Sequence, residues 1–325
     1  MIRQILKGGR GAPDPRRPDR PAPWLDPPAG PWSAERSYRY CDDIVRTHTE
    51  SYPVASRFVP KEIRPHIVAL YAFARTADDF ADEPQYEGRR VEALDRWEEE
   101  LVRCFHGEAE HPVFVALLDT VEKRQLPLPP FEDLLAGFRM DLEVRRYSNF
   151  AELRGYTARS ADPVGRLILA LFGYREPDLI RFADEISTAL QLTNFWQDVA
   201  ADAARDHIYL PADDLHFFGV TEAEVKALRP TRGMKELLRY QVARTRALYE
   251  RGRPLLGRLG GDLKKELALI WLIGMAILDK IEDADFDVFT HRPSIGARDK
   301  AKIMARAAKH WASHLDVKAL RRLWP

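Results

Sequence analysis

Cysteine is close to absent from this chain: Cys41 and Cys104 stand alone among 325 residues, which excludes a disulfide scaffold and a cysteine-built zinc site. A reducing cytoplasm is the compartment this suggests. Net charge is absent as well, since 50 Lys and Arg balance 50 Asp and Glu, and that argues against a general nucleic-acid binder. Long hydrophobic runs are missing. The longest, Leu267 to Leu278, is about half of the roughly 20 residues a membrane span needs. It is bounded by Lys265–Glu266 and Asp279–Lys280 and reads as a buried core helix. The N-terminus has Arg3 and Lys7 but no apolar stretch between them and a cleavage site, so no secretory signal is expected. Alternating β-branched runs joined by Asn-Gly or Asp-Gly are also lacking, which leaves little room for a sheet.

What remains is a helical chain with a distinct beginning. Residues 8–32 hold eight of the 23 prolines, interleaved with glycine and arginine, so residues 1–34 read as a tail that buries too little apolar surface to order itself. From residue 35 to 325 a single all-α domain is expected. Apolar residues recur at spacings of three and four, closed by Pro or Gly, and place helices near 36–50, 61–83, 87–106, 111–124, 131–145, 150–172, 176–203, 222–228, 232–258, 262–283 and 297–322. Pro65 suits a first turn, and Pro163 is expected to kink its helix. Charge is uneven. Residues 1–34 carry net +3 and 296–325 net +6, leaving −9 for residues 35–295. The basic segment 298–322 reads either as a solvated face or as a surface that rests on anionic lipid.

Two acidic motifs carry the chemistry. In Tyr71-Ala-Phe-Ala-Arg75-Thr-Ala-Asp78-Asp79-Phe-Ala-Asp82, helical spacing puts Asp78, Asp79 and Asp82 on roughly one face behind an apolar stretch. Unscreened carboxylates at these spacings repel, and a hard cation with oxygen ligands relieves the repulsion. A solvated acidic helix end explains this motif alone equally well. The second is Gln191-Leu-Thr-Asn194-Phe-Trp-Gln197-Asp198-Val-Ala-Ala-Asp202, where Gln191, Asn194, Asp198 and Asp202 form one polar stripe on an otherwise apolar helix. A buried hydrogen-bonded network is the alternative there. Together, two helices offering carboxylates at i, i+4 suit Mg2+ ions bridged by a diphosphate, with metal stabilising the leaving group. Phe73, Phe138, Phe195 and Trp196 are candidate walls for a carbocation, worth about 2 kcal/mol each where desolvated; ordinary core packing is the alternative for each. Since the carboxylates repel without metal, Asp78→Asn, Asp82→Asn and Asp198→Asn are each expected to remove most activity and leave helicity and melting nearly unchanged.

At these residues the chain resembles the squalene/phytoene synthase family of head-to-head prenyl synthases, from about His48 to Arg292. The resemblance includes His48-Thr-Glu-Ser51-Tyr52-Pro-Val-Ala-Ser56, Val59-Pro60, both aspartate motifs, Gly137-Phe-Arg-Met-Asp141-Leu with Tyr147, Ser160-Ala-Asp-Pro-Val164-Gly165, and Ile208-Tyr209-Leu-Pro211. It implies a helical bundle of the isoprenoid synthase type around a central apolar cavity. It implies two or three Mg2+ ions on Asp78, Asp79, Asp82, Asn194, Asp198 and Asp202, and a prenyl diphosphate substrate. Asp78, Asp82, Asp198, Asp202 and Tyr71 would be catalytic. His48, Ser51, Arg75, Gln191, Asn194, His207 and Tyr209 would face the diphosphate.

Finer features point to one branch. Tyr52-Pro-Val-Ala-Ser56, Asn194-Phe-Trp-Gln-Asp-Val199 and the stretch 277–293 resemble the bacterial hopanoid-pathway members that turn presqualene diphosphate into hydroxysqualene. The implied course is loss of diphosphate, rearrangement of the cyclopropylcarbinyl cation and capture by water, with a sister synthase supplying the substrate. Condensation of two prenyl diphosphates, as in presqualene diphosphate, squalene or phytoene synthesis, is the neighbouring reading. A non-catalytic assembly protein is the distant one, and it would not need the five aspartates. One departure stands out: Asp206-His207 occupies the place where the family usually has Gly-Arg, so Arg75, Arg205 and Arg292 are candidates for the missing charge. Asp162 stands where Asn is usual.

Overall fold

The structure, a computed structural model, describes residue 27 and residues 30–47 and 59–312. His48, Ser51, most of the expected tail and the last part of the expected helix 297–322 lie outside the described residues. Among the described residues there are helices and no strands. The chain forms two compact units: the first ends at Val144 and resumes with Arg154–Ser187, and the second combines Arg145–Leu153 with the chain from Thr188 onward.

The first unit contains α1 (Ala34–Thr47), α2 (Arg64–Asp82), α3 (Arg90–Phe105), α4 (Pro112–Arg124) and α5 (Pro129–Glu143). Most of α6 (Phe150–Ser160), all of α7 (Asp162–Leu171) and the start of α8 (Pro177–Gln197) complete it. Helix α2 is its axis: α1, α3, α4 and α5 all pack on it, and every residue from Val68 to Ala81 is buried. Its sequence foretells this, because apolar residues there exceed one stripe and must be covered on most sides. Pro65 sits in the first turn, as its fixed φ and missing N–H allow. Phe73 lies nearly parallel to Trp97 at 6.1 Å and edge-on to Phe114 and Phe131 at 6.0 and 5.4 Å. Such ring pairs add about 0.5–1.5 kcal/mol each beyond the area they bury.

The second unit contains the end of α8, then α9 (Val199–Ala203), α10 (Ala212–Phe217), α11 (Glu222–Lys226), α12 (Arg232–Gly252), α13 (Pro254–Arg258), α14 (Gly261–Asp283) and α15 (Ala297–Ala312). Helix α14 packs on α12 and α15. Gly274 of α14 is required by close approach: a Cβ there would lie 2.0 Å from the Tyr249 hydroxyl of α12.

Three expected helices are divided. The stretch 150–172 breaks rather than kinks: Ala161 leaves the helical region and Asp162 begins a new helix with Pro163 in its first turn, where no N–H is missed. The stretch 176–203 is interrupted at Asp198, at φ −108 and ψ 14, and 232–258 is interrupted at Arg253 before Pro254. The short α10 was not foreseen, since six residues show too little periodicity to register.

Candidate active site

The acidic end of α2 is a sealed charge cluster. Arg75, Asp78 and Asp79 are all buried. The Arg75 guanidinium reaches Asp78 Oδ2 at 3.1 Å, Asp79 Oδ1 at 2.8 Å and Glu83 Oε1 at 3.9 Å. Helical geometry alone brings these groups together, since 75, 78, 79 and 82 share one face. Burial works against the Arg75 charge, but Asp79 and Asp78 outweigh it and raise its pKa. Tyr71, one turn earlier, is pushed up to about 12, chiefly by burial, so its phenol stays protonated at neutral pH. Asp82 is half-buried at the end of the helix. One guanidinium against three neighbouring carboxylates leaves an excess of negative charge.

The second motif is set by the opposite face of α8. Thr193 Oγ1 lies 3.1 Å from the Tyr249 hydroxyl and donates to Ala189 O at 2.7 Å, while Trp196 Nε1 donates to Thr245 Oγ1 at 2.8 Å. Residues 193 and 196 are therefore pinned to α12. Gln191, Asn194 and Asp198 are turned roughly half a revolution away. Asp198 occupies the break between α8 and α9 and takes both its carboxylate oxygens to Arg292, with Nη2 to Oδ2 at 3.1 Å. Gln197 donates to Pro293 O, so adjacent side chains hold the same stretch of the 284–296 segment. Asp202 pairs with Arg205 at 2.9 Å. The three arginines proposed to supply charge thus each rest on a motif carboxylate.

The departure at Asp206-His207 has a structural explanation. Asp206 adopts φ +58, a conformation Asp tolerates better than most residues, and its carboxylate meets Arg146 at 2.8 Å and Lys226 at 2.7 Å. These partners hold its pKa down to about 2. The turn sends His207 inward, where its N–H donates to Asp202 O at 2.9 Å. There Phe195, Tyr209 and His207 form a column, with centroids 3.6 and 4.2 Å apart and planes within 5° and 18°. Tyr147 lies nearly parallel to Tyr209 at 5.8 Å. A small cavity is bounded by Phe195, Trp196, Asp202, His207, Tyr209 and neighbouring apolar residues.

Of the candidate cation walls, Phe195 and Trp196 line this cavity, whereas Phe73 is enclosed by the rings of the first unit and Phe138 is buried on α5. Asp141 accepts from Tyr156 at 2.7 Å, and Asp162 lies 3.7 Å from Arg154. Sequence reasoning missed the half-exposed stripe Leu269, Leu272, Ile273 and Ala276 on α14. Its i, i+3, i+4, i+7 spacing was present, but it lay hidden in a run that is apolar on every side.

Mg2+ fits the donors. They are all oxygen, and Gln191 Oε1 is buried with no hydrogen-bond partner among the described residues, a donor left for something else to engage. Among the described residues no three acidic, imidazole or thiol groups already converge on a metal position. Mg2+ does not require such a cage, since it takes one or two carboxylates together with water and substrate phosphate.

Comparison with known proteins agrees on the class. The squalene/phytoene synthase profile matches residues 45–299. Phytoene synthase of Arthrospira platensis is 36% identical over 275 residues, covering 81% of this chain and 89% of that one. The 15-cis-phytoene synthase of a Synechocystis is 31% identical over 285 residues, 84% of each chain. Among solved structures, squalene synthase HpnC from Alicyclobacillus acidocaldarius is 39% identical with a TM-score of 0.76, covering 78% of this chain and 96% of its own.

Proposed function

We propose, because this chain belongs to the squalene/phytoene synthase family and so to enzymes that act on prenyl diphosphates, that it ionises presqualene diphosphate and releases hydroxysqualene. The observation that carries the reading is the presence of both carboxylate motifs, each paired with an arginine. Two or three Mg2+ ions, held by Asp78, Asp79, Asp82, Asn194, Asp198 and Asp202, would supply the Lewis acid that stabilises the departing diphosphate. Arg75, Arg205 and Arg292 would pair with its remaining oxygens, and Gln191 would engage a metal-bound water or a phosphate oxygen. Tyr71 would donate a hydrogen bond to the leaving group. Phe195 and the α14 stripe would line the space for the apolar prenyl chains. His48 and Ser51 remain proposed diphosphate contacts on the strength of the sequence alone.

Hydroxysqualene formation is supported by the motif resemblance, and the 39% identity with the squalene synthase HpnC supports a reaction of the squalene branch. Condensation of two simple prenyl diphosphates is the second reading, favoured by the names of the relatives at 31–36% identity. The deciding experiment supplies purified protein and Mg2+ with presqualene diphosphate, or separately with farnesyl and longer prenyl diphosphates, without NADPH. Mass spectrometry of the products follows. Hydroxysqualene from presqualene diphosphate alone upholds the proposal; a hydrocarbon or presqualene diphosphate made from a simple prenyl diphosphate replaces it with the condensing reading. Among the described residues no helix is long and apolar enough to cross a membrane. Delivery of substrate by a sister synthase and peripheral contact of the basic segment 298–322 with anionic lipid are further parts of this proposal.

A further inference from the structure

Asp198 has its place in the α8–α9 break set by backbone bonds on both sides. Its N–H donates to Asn194 O at 2.8 Å, and its carbonyl accepts from the Asp202 N–H at 2.9 Å. The carboxylate is taken on both oxygens by one guanidinium, Arg292 Nε to Oδ1 and Nη2 to Oδ2 at 3.1 Å. This fork is the strongest geometry an arginine offers a carboxylate. It also lies across the edge that a metal ion would use. Mg2+ requires near-ideal octahedral geometry about 2.1 Å from its ligand oxygen and cannot share that edge with a second cation without strong like-charge repulsion.

The segment that carries Arg292 is anchored by other contacts. Lys235 meets Asp285 at 2.7 Å, Arg239 lies 4.7 Å over the Phe286 ring, Val288 and Pro293 are buried, and Pro293 O accepts from Gln197. The Arg292 side chain is 45% exposed, so parting the pair needs only rotation of that side chain toward solvent. A partly exposed pair also adds little to stability, so parting it costs little. Arg75, buried against Asp78 and Asp79 on its own helix, has no such exit. We propose that Arg292 competes with Mg2+ for Asp198: it withholds this carboxylate from the metal alone and yields it when a diphosphate takes up the guanidinium. This rests on the reading of Asp198 as a metal ligand in an enzyme acting on prenyl diphosphates. Metal and diphosphate binding are then coupled, each raising the affinity for the other by the same factor, because both part the same pair.

The test is a double-mutant cycle on the wild type, Arg292→Gln, Asp198→Asn and the double variant, read with two probes by titration calorimetry. Mg2+ is titrated in phosphate-free buffer, and pyrophosphate in buffer stripped of divalent ions, so neither probe chelates the other. Arg292→Gln is expected to bind Mg2+ about fivefold more tightly than the wild type, the factor one partly exposed ion pair can supply. The same substitution should gain nothing once Asp198 is Asn, because the cycle isolates what the two residues share. Pyrophosphate should show the mirror pattern. Asp198→Asn should bind it about fivefold more tightly, and that gain should vanish once Arg292 is Gln. If Arg292→Gln fails to fold, Arg292→Lys takes its place, keeping the charge without the fork, with an expected Mg2+ gain of about twofold. Gains that survive without the partner residue would overturn the proposal. If Asp198→Asn weakens Mg2+ binding while Arg292→Gln leaves it unchanged, the competition is overturned and the ligand reading stands. If Asp198→Asn has no effect on Mg2+ with or without Arg292, the reading of Asp198 as a ligand falls instead.

Discussion

The two carboxylate motifs look alike in sequence and are built differently. At the end of α2, Asp78 and Asp79 are almost fully enclosed, and their cation, Arg75, comes from the same helix three and four residues away. At the α8–α9 break, Asp198 is 19% exposed in its side chain and its cation, Arg292, comes from a segment 94 residues later. The first is a rigid, locally encoded cluster, because neither its helix nor its burial leaves the charges elsewhere to go. The second is adjustable, because an exposed ion pair adds little to stability and a segment outside the helices can move when a better partner arrives.

The contrast can be broken most directly at Arg75. Arg75→Met strands Asp78 and Asp79 in the interior and is expected to lower stability by about 3–5 kcal/mol, read by thermal or denaturant unfolding. A shift below about 1 kcal/mol would show that the first cluster is as loosely held as the second. Asp78→Asn should share part of this loss, which corrects the expectation drawn from carboxylate repulsion alone. Arg75 already relieves that repulsion in the folded chain, so removing Asp78 removes a partner.

Asp198→Asn should behave oppositely. Its unfolding free energy is expected to stay within about 0.5 kcal/mol of wild type, while turnover of the prenyl diphosphate falls roughly a hundredfold or more. A melting loss comparable to that of Arg75→Met would erase the distinction between the motifs.

Gly274→Ala sharpens the comparison from behind the site. The added Cβ meets the Tyr249 hydroxyl, and displacing it disturbs the Thr193 contact that sets the rotation of α8. Overpacking of about 1–3 kcal/mol is expected, together with reduced turnover; the α2 cluster should keep its hydrogen-exchange protection. The smallest effect belongs to Asp206→Asn. Asn accepts the same positive φ, so the substitution isolates the charge. Because the folded-state pKa of Asp206 is depressed, its contribution is fully present above about pH 4 and lost as pH falls toward 2. The melting difference between variant and wild type should therefore vanish in acid and persist at neutral pH.

Much of this was legible from residue order. The spacing of Asp78, Asp79 and Asp82 placed them on one helix face, as the structure bears out, whereas the stripe expected over Gln191, Asn194, Asp198 and Asp202 is divided by the break at Asp198. The breaks at Ala161 and Arg253 beside prolines were half legible, since a proline marks a boundary without saying whether the chain kinks or restarts. The interruption at Asp198 was not legible, because nothing in Gln197-Asp198-Val199 disfavours a helix; tertiary partners on Arg292 and Pro293 hold it there. His207 appeared as a weakened diphosphate contact, and only the fold shows its place in the aromatic column.

By itself the sequence determined the all-helical class, the burial of α2 and the carboxylate face of α2, because these follow from the helical repeat and act over three or four residues. Tertiary structure alone decided which arginine meets which aspartate in the second motif. It also decided how α8 is rotated against α12 and where the His207 ring points. The α8–α12 contacts and the Asp198–Arg292 pair join residues from 49 to 94 positions apart. At such separations no local preference operates, and the packing of a whole unit selects the partner.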